Sequence, residues 1–147
     1  MKKGILVGII VLFICVSWSF WFYGRAGAEL TTNKSGQIHK EDFTLNIRVE
    51  KIDDGFRVLR SIQYNGEGEI EIEHQTPLIS VSFKHKNHDY TGSTVTKVLK
   101  AGNSYHPQDP VTFESPSGGE YTLYSESRFN VKGKEITINH EENLIFE

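Results

Sequence analysis

The chain has 147 residues, of which 24% are charged and 12% aromatic, and its formal net charge is −3 at pH 7. Three of the sixteen basic residues lie within the first 28 positions, so residues 29–147 carry thirteen basic against all nineteen acidic side chains. This acidic balance argues against nucleic acid as a partner, and the length fits one domain after a short leader.

The chain opens with Lys2 and Lys3, followed by an uncharged, apolar run over residues 5–23. As a helix this run would extend about 28 Å, close to the thickness of a bilayer core. The two lysines orient the amino terminus toward the cytoplasm, so we expect a single-pass protein of the cell membrane whose carboxyl-terminal domain is extracytoplasmic. The single cysteine, Cys15, lies inside the run, so the exported part forms no intramolecular disulfide.

Residues 1–28 are predicted to be either a membrane anchor or a signal segment. Ala26-Gly27-Ala28 fits the small-x-small pattern of signal cleavage, and cleavage following Ala28 would make the protein secreted. The apolar core is longer than that of a typical cleaved signal, and aromatic residues crowd its distal end, which favours the retained anchor. Residues 29–41 are polar and lack apolar periodicity, which predicts a flexible stalk.

Apolar residues alternate with polar ones along much of residues 42–147, the pattern of strands that place one face on a core. Runs over residues 43–49 and 56–64 flank Asp53-Asp54-Gly55 and predict a hairpin. Further strands are predicted over residues 70–72, 79–83, 93–100, 111–114, 121–129, 135–139 and 143–146. About eight short strands separated by turns predict an all-β, two-sheet antiparallel sandwich domain, with a barrel as the alternative.

Glutamates occupy every second position from Glu67 to Glu73, so an extended chain would line four carboxylates on one face. Calcium takes oxygen ligands that converge from loops, whereas a strand spaces these carboxylates about 7 Å apart. We therefore interpret the row as a solvated face. Lys84 and Lys86 follow in the same phase on the next predicted strand and are the expected cross-strand partners.

Six histidines raise the question of a metal site; they are His39, His74, His85, His88, His106 and His140. Their spacing provides no three converging ligands, so neither a metal nor a cofactor is predicted. A metal-handling module that uses His74, His85 and His88 remains a third functional class.

Ser104, His106 and Asp109 are the residue types of a nucleophilic triad, and they lie close together in one loop. Triad members normally converge from separate elements, and the chain has no glycine-flanked nucleophile elbow. We therefore predict that the protein is not an enzyme.

The segment from Gly118 to Tyr124 resembles the start of the penultimate strand of an immunoglobulin-like domain. Tyr121 takes the tyrosine-corner position, and Leu123 stands where antibody domains have their second cysteine. With residues 99–105 and the closing residues 144–146, the layout is similar to small bacterial immunoglobulin-like modules, including the proteinase-inhibitor-like group of bacilli. The resemblance implies an immunoglobulin-like sandwich over residues 42–147.

The function we predict is that of a membrane-anchored binding module that contacts another envelope protein. The polar loops over residues 85–91 and 101–110 are the expected contact sites, because loops on a rigid sandwich commonly carry recognition. The candidate binding residues in them are His85, His88, Tyr90, Tyr105 and His106. The alternative is a secreted protease inhibitor or regulator that presents residues 104–109 to an active site.

Overall fold

The computed structural model describes Gly8, residues 11–19 and residues 27–147. Residues 11–19 are helical, and Cys15 is exposed on that helix. Among the described residues, no helix is both long enough and apolar enough to cross a bilayer. The predicted span over residues 5–23 lies partly outside these ranges, as does Ala26 of the predicted cleavage site.

Strands account for most of the described chain after residue 33. They are β1 (Lys34–Lys40), β2 (Phe43–Ile52), β3 (Gly55–Tyr64), β4 (Glu69–Gln75), β5 (Ile79–Phe83), β6 (Thr94–Lys100), β7 (Ser104–Tyr105), β8 (Val111–Glu114), β9 (Gly119–Val131) and β10 (Lys134–Phe146).

The strands form two antiparallel sheets that pack face to face. The first sheet has the order β1-β2-β3, and both β7 and β8 pair with the far edge of β3. The second sheet has the order β10-β9-β4-β6, and β5 also pairs with β9. Buried apolar residues from both sheets form one core; among the largest are Leu45, Phe56, Ile72, Leu123 and Phe129. The prediction of an all-β, two-sheet antiparallel sandwich is confirmed.

The predicted hairpin is present as β2 and β3, which pair from Phe43 opposite Tyr64 to Ile52 opposite Gly55. The inward residues of β2 are at most 2% exposed, as the alternation predicts. Other boundaries differ from prediction. Residues 135–139 and 143–146 belong to one continuous strand, β10, because the long strand β9 supplies backbone hydrogen bonds to the polar stretch between them.

The predicted stalk over residues 29–41 is wrong. β1 lies within it and pairs with β2 along its whole length, from Lys34 opposite Val49 to Lys40 opposite Phe43. Leu30 is 1% exposed and belongs to the core, and Thr31 N donates to the Ile145 carbonyl at 3.0 Å. Backbone hydrogen bonds hold such an edge strand whatever its side chains are, so its polar composition resembled that of a linker.

The predicted partners of the glutamate row are also wrong. β4 pairs with β6, and Glu69 lies 3.2 Å from Lys100 of that strand. β4 and β5 contact successive positions of the same strand, β9, so they lie end to end and cannot pair with each other. Lys86 instead lies 3.7 Å from Glu141.

Candidate functional site

The two loops predicted to carry recognition lie on different sheets. Residues 84–93 connect β5 to β6 in the second sheet, whereas residues 101–110 lead from β6 into the first sheet and include β7. The five candidate residues therefore form two separate groups rather than one site.

In the first loop, Tyr90 anchors the chain to strand β9. Its ring is 9% exposed, and its hydroxyl donates to the carbonyl and to the carboxylate of Glu126 at 2.8 and 3.1 Å. Arg128 pairs with the same carboxylate at 3.0 Å and lies 4.6 Å from the centre of the Tyr90 ring. Burial and the negative charge of Glu126 raise the pKa of Tyr90. These groups satisfy one another, so Tyr90 is a structural anchor.

His88 in the same loop lies with its Nδ1 3.1 Å from the Ser80 hydroxyl, and burial lowers its pKa. His85 is exposed. His74 uses both ring nitrogens elsewhere, at 2.8 Å from the Gln75 carbonyl and 3.2 Å from the Tyr105 hydroxyl. Within residues 27–147 and the described helical positions, no three His, Cys, Asp or Glu side chains are grouped to hold a metal ion.

Tyr105, in the second loop, links the two sheets. Its strand β7 pairs with β3, while its hydroxyl contacts His74 of β4 in the opposite sheet. Lys97 of β6 lies with its Nζ 5.3 Å from the centre of the Tyr105 ring. Lys97 lies on the same face of the edge strand β6 as Leu99, the face toward the core. A charged side chain on that face of an edge strand disfavours pairing with another chain. Tyr105 therefore closes this side of the sandwich.

The next part of the second loop, residues 106–110, borders two clefts beside β3. β7 pairs with β3 at Ile62 and β8 pairs with it at Val58, so positions 59–61 of β3 lack a strand partner on that side. Residues 106–110 pass over this gap. Two clefts of about 310 and 500 Å³ adjoin it, and both are lined by Leu59, Arg60 and His106.

Arg60 is the unusual residue of these clefts. It occupies the inward phase of β3, between the core residues Val58 and Ile62, and it is 8% exposed. Its Nε donates to Gln108 Oε1 at 3.5 Å. Arg60 Nη1 and Gln108 Nε2 are both buried without a hydrogen-bond partner among the described residues. Burial lowers the pKa of Arg60.

Arg60 was not among the residues predicted from the sequence, although the pattern that marks it was present. A charged residue continued the apolar phase of Phe56, Val58, Ile62 and Tyr64 on a strand that was predicted correctly. A charge at a core-facing position is rarely tolerated without a partner. Of the predicted residues, His106 lines the clefts and Tyr105 flanks them, whereas His85, His88 and Tyr90 lie in the loop of the other sheet.

The same loop does not form a nucleophilic triad. Ser104 is paired with Gln63 in the sheet, and His106 and Asp109 are exposed. No hydrogen bond in the described part of the chain joins these three side chains.

Comparison with known proteins returned a likeness in structure alone. The chain is similar to the GAE domain of GGA2p from Saccharomyces cerevisiae, at 8% identity and a TM-score of 0.43, over 78% of this chain and 100% of that one. No protein-family model matches the sequence, and no curated protein matches it.

Proposed function

We propose that this chain is an extracytoplasmic binding module, anchored in the membrane by residues 5–23, that contacts another envelope protein through the clefts under residues 106–110. The observation that carries the proposal is the pair of buried donors, Arg60 Nη1 and Gln108 Nε2, that have no partner among the described residues. Buried polar groups in a folded protein are nearly always paired, so unpaired donors in the wall of a cleft are typical of a binding site.

The proposed domain is immunoglobulin-like, and two features support this. The first sheet places β2, β3 and β8 side by side beyond the edge strand β1, and the second has the order β10-β9-β4-β6; we assign these to immunoglobulin strands A-B-E and G-F-C-C′. Tyr121, at the start of β9, donates its hydroxyl to the Ser117 carbonyl at 3.0 Å, which is the contact of a tyrosine corner. Leu123 is fully buried, as the residue at the second-cysteine position should be.

The first residues of the domain support a retained anchor. Ala28 N donates to the Pro116 carbonyl at 3.0 Å, and the Ala28 side chain packs against the core. Cleavage following Ala28 would remove both contacts. Because the fold begins so soon after residue 23, an intact anchor would hold the domain close to the bilayer, which favours a partner that lies in or on the same membrane.

The loop geometry favours a binding cleft over the alternative of a protease inhibitor. An inhibitor of the presenting kind needs an exposed, extended segment that enters an active site. Pro107 and Gln108 are half-buried, and Gln108 contacts Arg60, so this loop lies against β3 and covers the gap.

Site-specific photocrosslinking in intact cells tests the proposal. A photoreactive amino acid is placed in the full chain at His106, at His85 in the other loop, or at the exposed Asn139 of β10. We expect one membrane protein to be crosslinked from position 106 and from neither of the others. Crosslinking from position 85 alone would show that the contact is made by the loop of the second sheet. Equal products from all three positions, or none from any, would overturn the proposal.

A further inference from the structure

We infer that Arg60 and Gln108 form a receptor for one carboxylate group, which the ligand inserts into the cleft beneath residues 106–110. The inference rests on the proposed function and names the chemistry of its contact. Arg60 Nη1 and Gln108 Nε2 are the two donors that such a group would accept from.

Arg60 carries a buried positive charge. The side chain is more than nine-tenths buried, and no ion pair joins it to a carboxylate within the described ranges. The guanidinium stays protonated at any physiological pH, so it cannot avoid the cost of burial by becoming neutral. Burial of an unpaired charge is costly, and an incoming anion would recover much of that cost.

Arg60 borders a space that a ligand can enter. Arg60 and the exposed His106 line both clefts, and the half-buried loop residues Pro107 and Gln108 line the larger one. Asp109 also lines the larger cleft, but it is exposed and does not pair with Arg60 in the described structure. An anion can therefore enter the cleft that Arg60 lines. Because Arg60 Nη1 and Gln108 Nε2 are themselves buried, it contacts them only when residues 106–110 shift away from β3.

The charge of the site favours a carboxylate. One guanidinium and one neutral amide supply a single positive charge, which a carboxylate balances and a phosphate dianion exceeds. The two oxygens of a carboxylate also provide one acceptor for Arg60 Nη1 and one for Gln108 Nε2. Arg60 Nε donates a hydrogen bond to Gln108 Oε1, so the unpaired amide nitrogen of Gln108 lies beside the same guanidinium.

The test is a titration of the full-length chain in non-ionic detergent, followed through the Nε–Hε resonance of Arg60. The probes are sodium acetate, N-acetyl-trialanine with a free terminal carboxylate, N-acetyl-glutamate whose α-carboxyl alone is amidated, inorganic phosphate, and acetamide as the neutral control. We expect saturable shifts with the carboxylates and none with acetamide. The comparison among the three carboxylates identifies a free acid, a chain terminus or an acidic side chain as the source.

Three variants decide the assignment. Arg60→Met removes the charge at similar volume. The variant has no Arg60 resonance, so binding is followed by the shift in melting temperature that added carboxylate causes, and this shift should disappear. Gln108→Glu places a carboxylate of the chain itself beside Arg60. It should therefore raise the melting temperature and weaken the affinity for added carboxylates at least tenfold. Arg57, like Arg60, lies on β3, but it is exposed and pairs with Glu50 of β2; the Arg57→Met variant should respond like the wild type.

Each other outcome overturns the inference. These are no response to any carboxylate in the wild type, stronger binding of phosphate, or unchanged binding in Gln108→Glu. Failure here is separable from failure of the proposed function. If the photocrosslink at position 106 forms while carboxylates do not bind, the proposed contact is supported and the carboxylate site is wrong. If carboxylates bind while no crosslink forms, the carboxylate site is supported and the proposed envelope partner is wrong.

Discussion

Leu30 and Phe146, near opposite ends of the chain, lie side by side in an antiparallel bridge and are each 1% exposed. On one side, Glu29 and Glu147 exchange backbone hydrogen bonds of 2.8 and 3.0 Å, and on the other Thr31 N donates to the Ile145 carbonyl. The segment that precedes β1 is thereby fixed to the end of β10. A domain boundary placed near residue 41 would cut through this contact.

The bridge predicts a large effect of a mutation in the segment that resembled a stalk. Leu30→Ala should lower the free energy of unfolding by about 2–5 kcal/mol, because it leaves a cavity against Phe146. Urea denaturation followed by circular dichroism measures it. The control is Ile145→Ala, which removes a side chain that is 37% exposed and should cost less than about 1 kcal/mol. Equally small losses of unfolding free energy in both variants would support the predicted stalk.

The Tyr121 corner predicts a modest loss of stability on removal of one hydroxyl. Tyr121→Phe deletes the donor to the Ser117 carbonyl and should cost about 1 kcal/mol. Tyr124→Phe on the same strand is the control, because the Tyr124 hydroxyl makes no hydrogen bond within the described structure. Thermal denaturation of the two variants side by side measures the difference, and identical melting temperatures would contradict the structural role of the corner.

Arg60→Met should stabilise the protein when no carboxylate is added. Replacing a buried charge that lacks an anionic partner with an apolar side chain of similar volume should raise the free energy of unfolding by about 1–3 kcal/mol. Urea denaturation in a buffer without carboxylates measures the change. Arg57→Met removes an exposed ion pair and should change stability by less than about 1 kcal/mol. A clear loss of stability in Arg60→Met would show that the guanidinium is paired in the unliganded protein.

His88 predicts a dependence of stability on pH. Burial lowers the pKa of His88 from its usual 6.5 in the folded protein, an effect that Glu126 opposes and that Lys86 and Arg128 reinforce. The unfolded chain therefore binds this proton more readily, so the contribution of His88 is fully present above the unfolded pKa and is lost as the pH falls toward the folded one.

The measurement is the melting temperature at about pH 7.5 and about pH 5.5, on either side of the histidine range. His88→Asn keeps a polar atom near Ser80 but cannot titrate, so it should lose less stability on acidification than the wild type. His85→Asn, an exposed change in the same loop, should behave like the wild type. A fall in the His88→Asn variant as large as that of the wild type would exclude His88 as the source.

Local patterns in the sequence predicted which residues face the core. The alternation in residues 43–49 and 56–64 and the Asp53-Asp54-Gly55 turn were sufficient for the hairpin of β2 and β3, because period-two burial and turn chemistry act between near neighbours. The Tyr121 contact was likewise legible from a short motif.

The sequence by itself determined the strand-rich class, the acidic balance of residues 29–147, the absence of a disulfide in that region, and the inward phase that Arg60 shares with its neighbours. Only the tertiary structure decided that β1 belongs to the sandwich, that β4 with its glutamates pairs with β6, and that Gln108 lies against Arg60. The first two facts depend on which strands pair across a long stretch of sequence. Backbone hydrogen bonds are the same for every residue, so the polar patterns of β1 and β4 did not specify their partners. The third depends on where residues 106–110 cross β3. The predicted binding residues separated for the same reason, because their loops belong to different sheets.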